Sequence, residues 1–245
     1  MDERGNGVAG DASGPIYLRV RDQLASQIER GTLAPHTRLP SERVLAEGHH
    51  TTRVTARLAL AQLEAEGRIY RSNRRGWFVS PPRLVYNPTK DYSFSDNVTA
   101  QGRVPVTETL QVTPTEVDAW LATMTGLATG DPIVRLRRRR QIDGRPVMVE
   151  NIYLNPKRLP GIETFDFNRS LWKLLREHYN VELERKQIEM FPTALVDPQA
   201  EALGVTAGTA GLYVTRCCRD AQDCFVELDE EFWLHDTLSI QVSVG

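Results

Sequence analysis

Leu39-Pro40-Ser41-Glu42-Arg43, then Thr52-Arg53-Val54-Thr55-Ala56-Arg57, then Arg71-Ser72-Asn73-Arg74-Arg75-Gly76-Trp77-Phe78-Val79 follow one another in a single stretch of the chain. Ser41 is placed to N-cap a helix with Glu42 in its first turn, and Gly48 to end it. Thr51 or Thr52 caps a further helix whose opening turns are crowded with threonine and arginine. Val54, Leu58, Ala61 and Leu63 are its expected buried stripe. Gly67 stops that helix, and residues 69–71 with 77–79 read as a two-stranded, arginine-tipped hairpin. A helix presenting Thr and Arg at its N-terminal end fits a DNA major groove, where hydroxyls hold phosphates and guanidinium forks reach guanine edges. The hairpin suits the minor groove or the flanking backbone. A generic helical bundle offers no reason for Arg53, Thr55 and Arg57 to cluster at a helix start.

Upstream, Ile16, Val20, Leu24 and Ile28 recur at helical spacing, predicting an amphipathic helix over 16–29 that Gly31 and Pro35 close. Together, residues 16–79 resemble the winged helix-turn-helix domain of GntR regulators. The resemblance implies that Arg43 and Arg53 read bases or backbone, that Thr52, Thr55 and Arg57 contact phosphate or base, and that Gly76 closes the wing. Arg74 stands where the family has a wing-tip glycine, so an inserted arginine replaces close backbone approach there. Arg75 completes the candidate DNA-binding set. His49 takes a place usually held by Phe and is expected to be a partly buried, neutral histidine.

Composition agrees with a chain of two jobs. Its 245 residues suffice for two modest domains, and a 40% apolar, 25% charged make-up is that of an ordinary globular protein. The net charge of −2 speaks against a nucleic-acid partner, yet residues 37–79 carry eight arginines against four glutamates. Such asymmetry assigns nucleic acid to one domain and something else to the other. No apolar run is long enough to span a membrane, and Met1-Asp2-Glu3-Arg4 opens no signal peptide, so a cytoplasmic protein without membrane partners is expected. Cys217, Cys218 and Cys224 fit neither a disulfide framework nor a zinc pattern. The expected organisation is a disordered tail at 1–13, a winged helix-turn-helix at 14–80, a proline-bearing linker at 81–92 and an effector domain at 93–245.

That last part is strand-rich, with strands expected near 108–113, 133–142, 146–154, 182–191, 211–219, 224–233 and 237–244, and helices near 115–124, 169–179 and 198–203. The fold class is α+β. Within 133–142, side-chain alternation puts Val134, Leu136, Arg138, Arg140 and Ile142 on one face. Arginines turned inward need an anion or a hydrogen-bonding partner. Two of them suit a phosphate or phosphonate; a carboxylate of the same domain is the alternative. Asp143-Gly144 turns the chain. A two-residue turn sets Glu150 across from Arg137, a three-residue loop across from Arg138. Phe225, Glu227, Asp229, Glu231 and Trp233 share a face, which is either solvent-exposed or part of a site.

Arg138 through Pro146 with Glu150, Ser170-Leu171-Trp172, and Glu227 through Asp236 resemble the UTRA domain of the HutC branch of GntR regulators. This implies a chorismate-lyase-like fold with a mainly antiparallel sheet, binding a small acidic or sugar-like effector, and it favours the pairing that turns Glu150 inward. Arg138, Arg140 and Ser170 match phosphate-holding positions, Glu150 a position that meets the ligand's other polar groups, and Ser93-Phe94 an element beside the phosphate. Trp172 and Trp233 stand where relatives often have Tyr. Thr51-Thr52-Arg53, Arg74 through Val79, and Leu228 through Asp236 further resemble regulators of 2-aminoethylphosphonate degradation. For that compound Arg138 and Arg140 would take the phosphonate and Glu150, Asp229 or Glu231 the ammonium, with Trp172 or Trp233 available for cation–π contact. The expected protein is a homodimeric, effector-responsive regulator on a two-fold-symmetric operator. With no nucleophile–base pair, metal cluster or glycine-rich phosphate loop in the sequence, neither enzyme activity nor a cofactor is expected.

Overall fold

In the computed structural model, residues 14–72, 75–90 and 93–243 are described; the expected tail at 1–13 and Arg74 lie outside them. The chain divides between Pro81 and Pro82 into two compact units.

The first unit holds α1 (Ile16–Glu29), α2 (Glu42–Gly48), α3 (Arg53–Ala65) and a hairpin of β1 (Ile69–Ser72) and β2 (Gly76–Val79). Ser41 and Thr52 are the N-caps, accepting from the Val44 and Thr55 backbone N–H groups. Each satisfies one of the orphan donors a helix start leaves. The expected stripe of α3 is corrected. Ala56, Ala59, Leu60 and Leu63 are the fully buried residues, whereas Val54 is 65% and Leu58 53% exposed. Two apolar stripes run along this helix, and the one rich in alanine lets α1 and α2 approach closely. Val20, Leu24, Leu39, Leu45, Ile69, Trp77 and Val79 complete that core.

In the second unit, β3 (Leu84–Tyr86) pairs in parallel with the C-terminal β10 (Leu238–Ile240). Part of the segment read as a linker is thus a strand of this unit, with Leu84 buried. After α4 (Phe94–Ala100) come β4 (Pro105–Glu116), α5 (Ala119–Thr125), β5 (Pro132–Ile142), β6 (Arg145–Leu154), a 3-10 turn (Ile162–Thr164), α6 (Leu171–Tyr179), β7 (Glu184–Leu195), α7 (Gln199–Leu203), β8 (Thr209–Arg219) and β9 (Phe225–Leu234). Six strands make one antiparallel sheet in the order β4-β5-β6-β9-β8-β7. Leu136, Ile152 and Leu154 of one face pack with Leu171, Leu174 and Leu175 of α6. Val149 and Leu234, on the other face, pack with Ala200 and Leu203 of α7.

The β5–β6 connection settles the register of Glu150 by neither of the two expected routes. Asp143 (φ +52°) and Gly144 (φ +75°) form a two-residue turn between paired Ile142 and Arg145. The ladder then slips between Arg140 and Gln141, leaving Val147 as an extra residue on β6, and Arg138 comes opposite Glu150. A β-bulge does what a longer loop would have done.

Candidate functional site

From Val134 to Ile142 the alternation along β5 holds: Val134, Leu136, Arg138, Arg140 and Ile142 are buried, and the residues between them are only partly covered. Cross-strand pairing extends the same face through Glu150 of β6, Glu231 and Asp229 of β9 and Arg216 of β8. Over it lies a cavity of about 90 Å³. All ten residues expected to meet an effector line it: Ser93, Phe94, Arg138, Arg140, Glu150, Ser170, Trp172, Asp229, Glu231 and Trp233.

The polar groups form two linked clusters. In the first, Oε1 of Glu150 accepts from Arg138 Nε at 2.6 Å and from Arg140 Nε at 2.8 Å. Arg138 Nη1 also donates to the Phe167 carbonyl at 3.3 Å, and Arg140 Nη1 to Thr107 Oγ1. The Arg140 guanidinium lies 5.0 Å from the Phe94 ring centroid. Burial opposes the Glu150 charge, but Arg138 and Arg140 outweigh it and hold the carboxyl below its ordinary value. Burial, with Arg138 alongside, pulls the Arg140 guanidinium down to about 10. The structural partner and the ligand site weighed for these arginines are therefore not exclusive. Glu150 takes the Nε hydrogens, and Nη2 of each arginine has no protein acceptor among the described residues.

In the second cluster, Arg216 Nη2 donates to Glu231 Oε1 and, at 3.2 Å, to Asp229 Oδ2, while Arg216 Nη1 donates to the Tyr86 hydroxyl. Glu231 Oε2 accepts from Trp233 Nε1 at 2.8 Å. Burial works against the Arg216 charge, yet Glu231 and Asp229 hold it well above its ordinary value. Burial raises the carboxyls of Asp229 and Glu231 against the pull of Arg216. The acidic face of β9 is thus interior: Glu227, Asp229 and Glu231 are each at most 7% exposed. Arg216 escaped notice in the sequence although Val214, Arg216 and Cys218 repeat the parity that exposed Arg138.

Ser93 and Ser170 sit at helix starts, as N-caps of α4 and α6, accepting from the backbone N–H groups of Asp96 and Lys173. The indole of Trp172 is covered by the Arg176 guanidinium at 4.7 Å from its centroid, which leaves that face unavailable to a ligand cation. Trp233 packs against Phe94, ring centroids 6.2 Å apart.

The first unit carries a second concave surface, lined by Arg38, Arg43, Arg53, Arg57 and Arg71 with Ser41, Ser72 and Gly76. Arg43 pairs with Glu47 at 2.8 Å and Arg57 with Glu42 at 2.8 Å, whereas Arg53 is exposed and makes no ion pair among the described residues. Thr52 and Thr55 share a hydroxyl–hydroxyl bond of 3.0 Å at the start of α3. Arg75 lies against Phe78, its guanidinium 5.6 Å from the ring. Gly76 has φ +100°, and a Cβ there would meet Arg38 Nε at 3.5 Å. His49 is half-buried and follows the last residue of α2. Arg38 and Arg71 join this surface beyond the candidates named from sequence.

The sequence matches the family of gntR bacterial regulatory proteins over residues 16–79 and the UTRA domain over residues 100–239. It is 30% identical over 203 residues to the transcriptional repressor NagR of Bacillus subtilis, covering 82% of this chain and 83% of that one. To the repressor PhnF of Mycolicibacterium smegmatis it is 29% identical over 202 residues, covering 82% and 81%. The crystal structure of PhnF from Mycobacterium smegmatis superposes with a TM-score of 0.65 at 26% identity, covering 92% of this chain and 99% of that one.

Proposed function

The chain belongs to the GntR family of bacterial regulatory proteins, in the branch that joins a winged helix-turn-helix to a UTRA domain, and we propose that 2-aminoethylphosphonate is the effector of this ligand-responsive transcriptional regulator. The genes it controls would then be those of phosphonate catabolism or transport. One observation carries this reading: two buried guanidiniums side by side in a cavity, each keeping an Nη2 without a protein acceptor among the described residues. Buried cations left with spare donors favour an oxyanion, and guanidinium forks match the geometry of phosphonate. The carboxylates across the cavity suit the amine at the other end of such a ligand. A sugar phosphate without an amine would use the same arginines but leave those carboxylates facing neutral hydroxyls.

The arginine-lined surface of the first unit is the proposed operator contact, through Arg43, Thr52, Arg53, Thr55, Arg57, Arg75 and Gly76, with Arg38 and Arg71 added by the fold. Two such surfaces in a cytoplasmic homodimer would read half-sites about one helical turn apart, or a multiple of that. The cavity is proposed to bind without chemistry, so no product should form from chorismate or aminophosphonates.

Calorimetry with 2-aminoethylphosphonate, glucosamine 6-phosphate and urocanate tests the effector, and gel retardation of the upstream region of the protein's own gene tests its consequence. The Arg140→Ala variant should lose the phosphonate while still binding DNA. Unchanged phosphonate affinity in that variant would remove Arg140 from the site.

A further inference from the structure

We propose that Asp229 is the residue that selects an amine-bearing effector, its Oδ1 receiving the ammonium of a zwitterion whose oxyanion lies on Arg138 and Arg140. This rests on the effector reading of the cavity and narrows it, from a basic pocket for anions to a two-signed pocket for zwitterions.

The buried charges are segregated. Around Glu150 there are two guanidiniums for one carboxylate, a surplus of positive charge. Around Arg216 there are two carboxylates for one guanidinium, a surplus of negative charge. Glu227 adds another buried carboxylate on the same face of β9. The first cluster stands on β5 and β6, the second on β9 and β8, and β6 is the neighbour of β9. At a strand spacing of about 4.8 Å, β5 and β9 are roughly 10 Å apart. Arg138, Arg140 and Asp229 nevertheless line one cavity, so a single small zwitterion can meet both signs of charge.

Hydrogen bonding sets Asp229 apart from Glu231 and from the bridging oxygen of Glu150. Glu231 has both oxygens engaged, Oε1 by Arg216 and Oε2 by Trp233. Oε1 of Glu150 already bridges two arginines. Asp229 gives Oδ2 to Arg216 at a long 3.2 Å, and its Oδ1 is buried without a hydrogen-bond partner. The residue is 7% exposed and lines the cavity. A buried, unpaired carboxylate oxygen is destabilising until a donor reaches it, most of all a cationic one. Burial also raises the Asp229 carboxyl, as expected of an acid still short of positive charge.

The test is a pair of ligands of equal shape, 2-aminoethylphosphonate and n-propylphosphonate, titrated calorimetrically into the full-length wild-type chain and its Asp229→Asn variant. Because a hydrogen bond to a charged group contributes about 1.5–3 kcal/mol, wild type should prefer the amine by roughly ten- to a hundredfold. Asp229→Asn should abolish that preference, and n-propylphosphonate should still bind the variant, which also shows that it is folded. Equal wild-type affinity for the two ligands, or a preference that survives in the variant, overturns the role of Asp229 and leaves the anion site standing. If wild type binds neither phosphonate, the effector reading falls and this inference with it.

Discussion

Arg138 and Glu150 face each other across the β5–β6 ladder, Nε to Oε1 at 2.6 Å, because Val147 is bulged out of that ladder. Without the slip, a two-residue turn would put Glu150 across from Arg137, on the face where the side chains of β5 are only partly covered, and strand both inward arginines. The bulge thus decides whether the cavity has a countercharge. Replacing Glu150 by Gln should be severely destabilising, by about 3–5 kcal/mol, since it leaves two buried guanidiniums with no carboxylate between them. Urea denaturation of the variant measures this, and a loss below about 1 kcal/mol would mean that the pair is hydrated in solution.

The acidic cluster predicts a pH effect of definite sign. Burial raises the Asp229 and Glu231 carboxyls, so the folded chain keeps protons that the unfolded chain releases. Stability from these groups therefore falls as pH rises through a window that opens at the ordinary carboxylate pKa of about 4 and extends up to the raised folded value. Asn at position 229 does not titrate. Melting temperatures of Asp229→Asn relative to wild type should shift in favour of the variant between pH 4 and pH 7. A difference that stays flat or runs the other way would show that Arg216 neutralises Asp229 completely.

Much of this was legible because it followed from periodicity. The inward arginines of β5 came from strand parity alone, and the helix caps from residue type, Ser41 outright and Thr52 as one of two candidates with Thr51. Four things were not legible, each for a physical reason. The bulge at Val147 depends on tertiary pairing and leaves no local mark. The buried stripe of α3 was misassigned because bulk, not closeness of approach, guided the choice of Val54 and Leu58 over Ala56 and Ala59. Arg216 did carry the parity signal of Arg138, but a single arginine in a strand also fits an exposed position. Short elements such as β3 and α4 have too few residues to show a period at all.

Gly76 should tolerate no side chain. Its φ of +100° strains any L residue, and a Cβ would lie 3.5 Å from Arg38 Nε within the basic surface. Gly76→Ala is expected to lower stability by about 1–2 kcal/mol and to weaken operator binding by distorting the base of the hairpin. Thermal melts and gel retardation read the two effects separately; intact operator affinity would exclude the hairpin base from the DNA contact.

Arg53 and Arg57 open the same helix, yet they enter the proposed contact differently. Arg57 is hydrogen-bonded to Glu42, and that bond holds the Glu42 carboxyl below its ordinary value, so part of the Arg57 charge is already countered. Arg53 is exposed and unpaired among the described residues, so its full charge is available to the proposed DNA contact. Each arginine that neutralises a phosphate contributes about one unit to the dependence of log affinity on log salt. Arg53→Ala should therefore flatten that dependence by about one unit, while Arg57→Ala should change it less, because removing Arg57 also leaves the repulsive Glu42 behind and lowers affinity at every salt concentration. Glu42→Gln isolates this second effect: with Arg57 freed, affinity at low salt should rise and the salt dependence steepen toward that expected for an unpaired arginine. Identical slopes for Glu42→Gln and wild type would mean that the Glu42–Arg57 pair already opens on the operator.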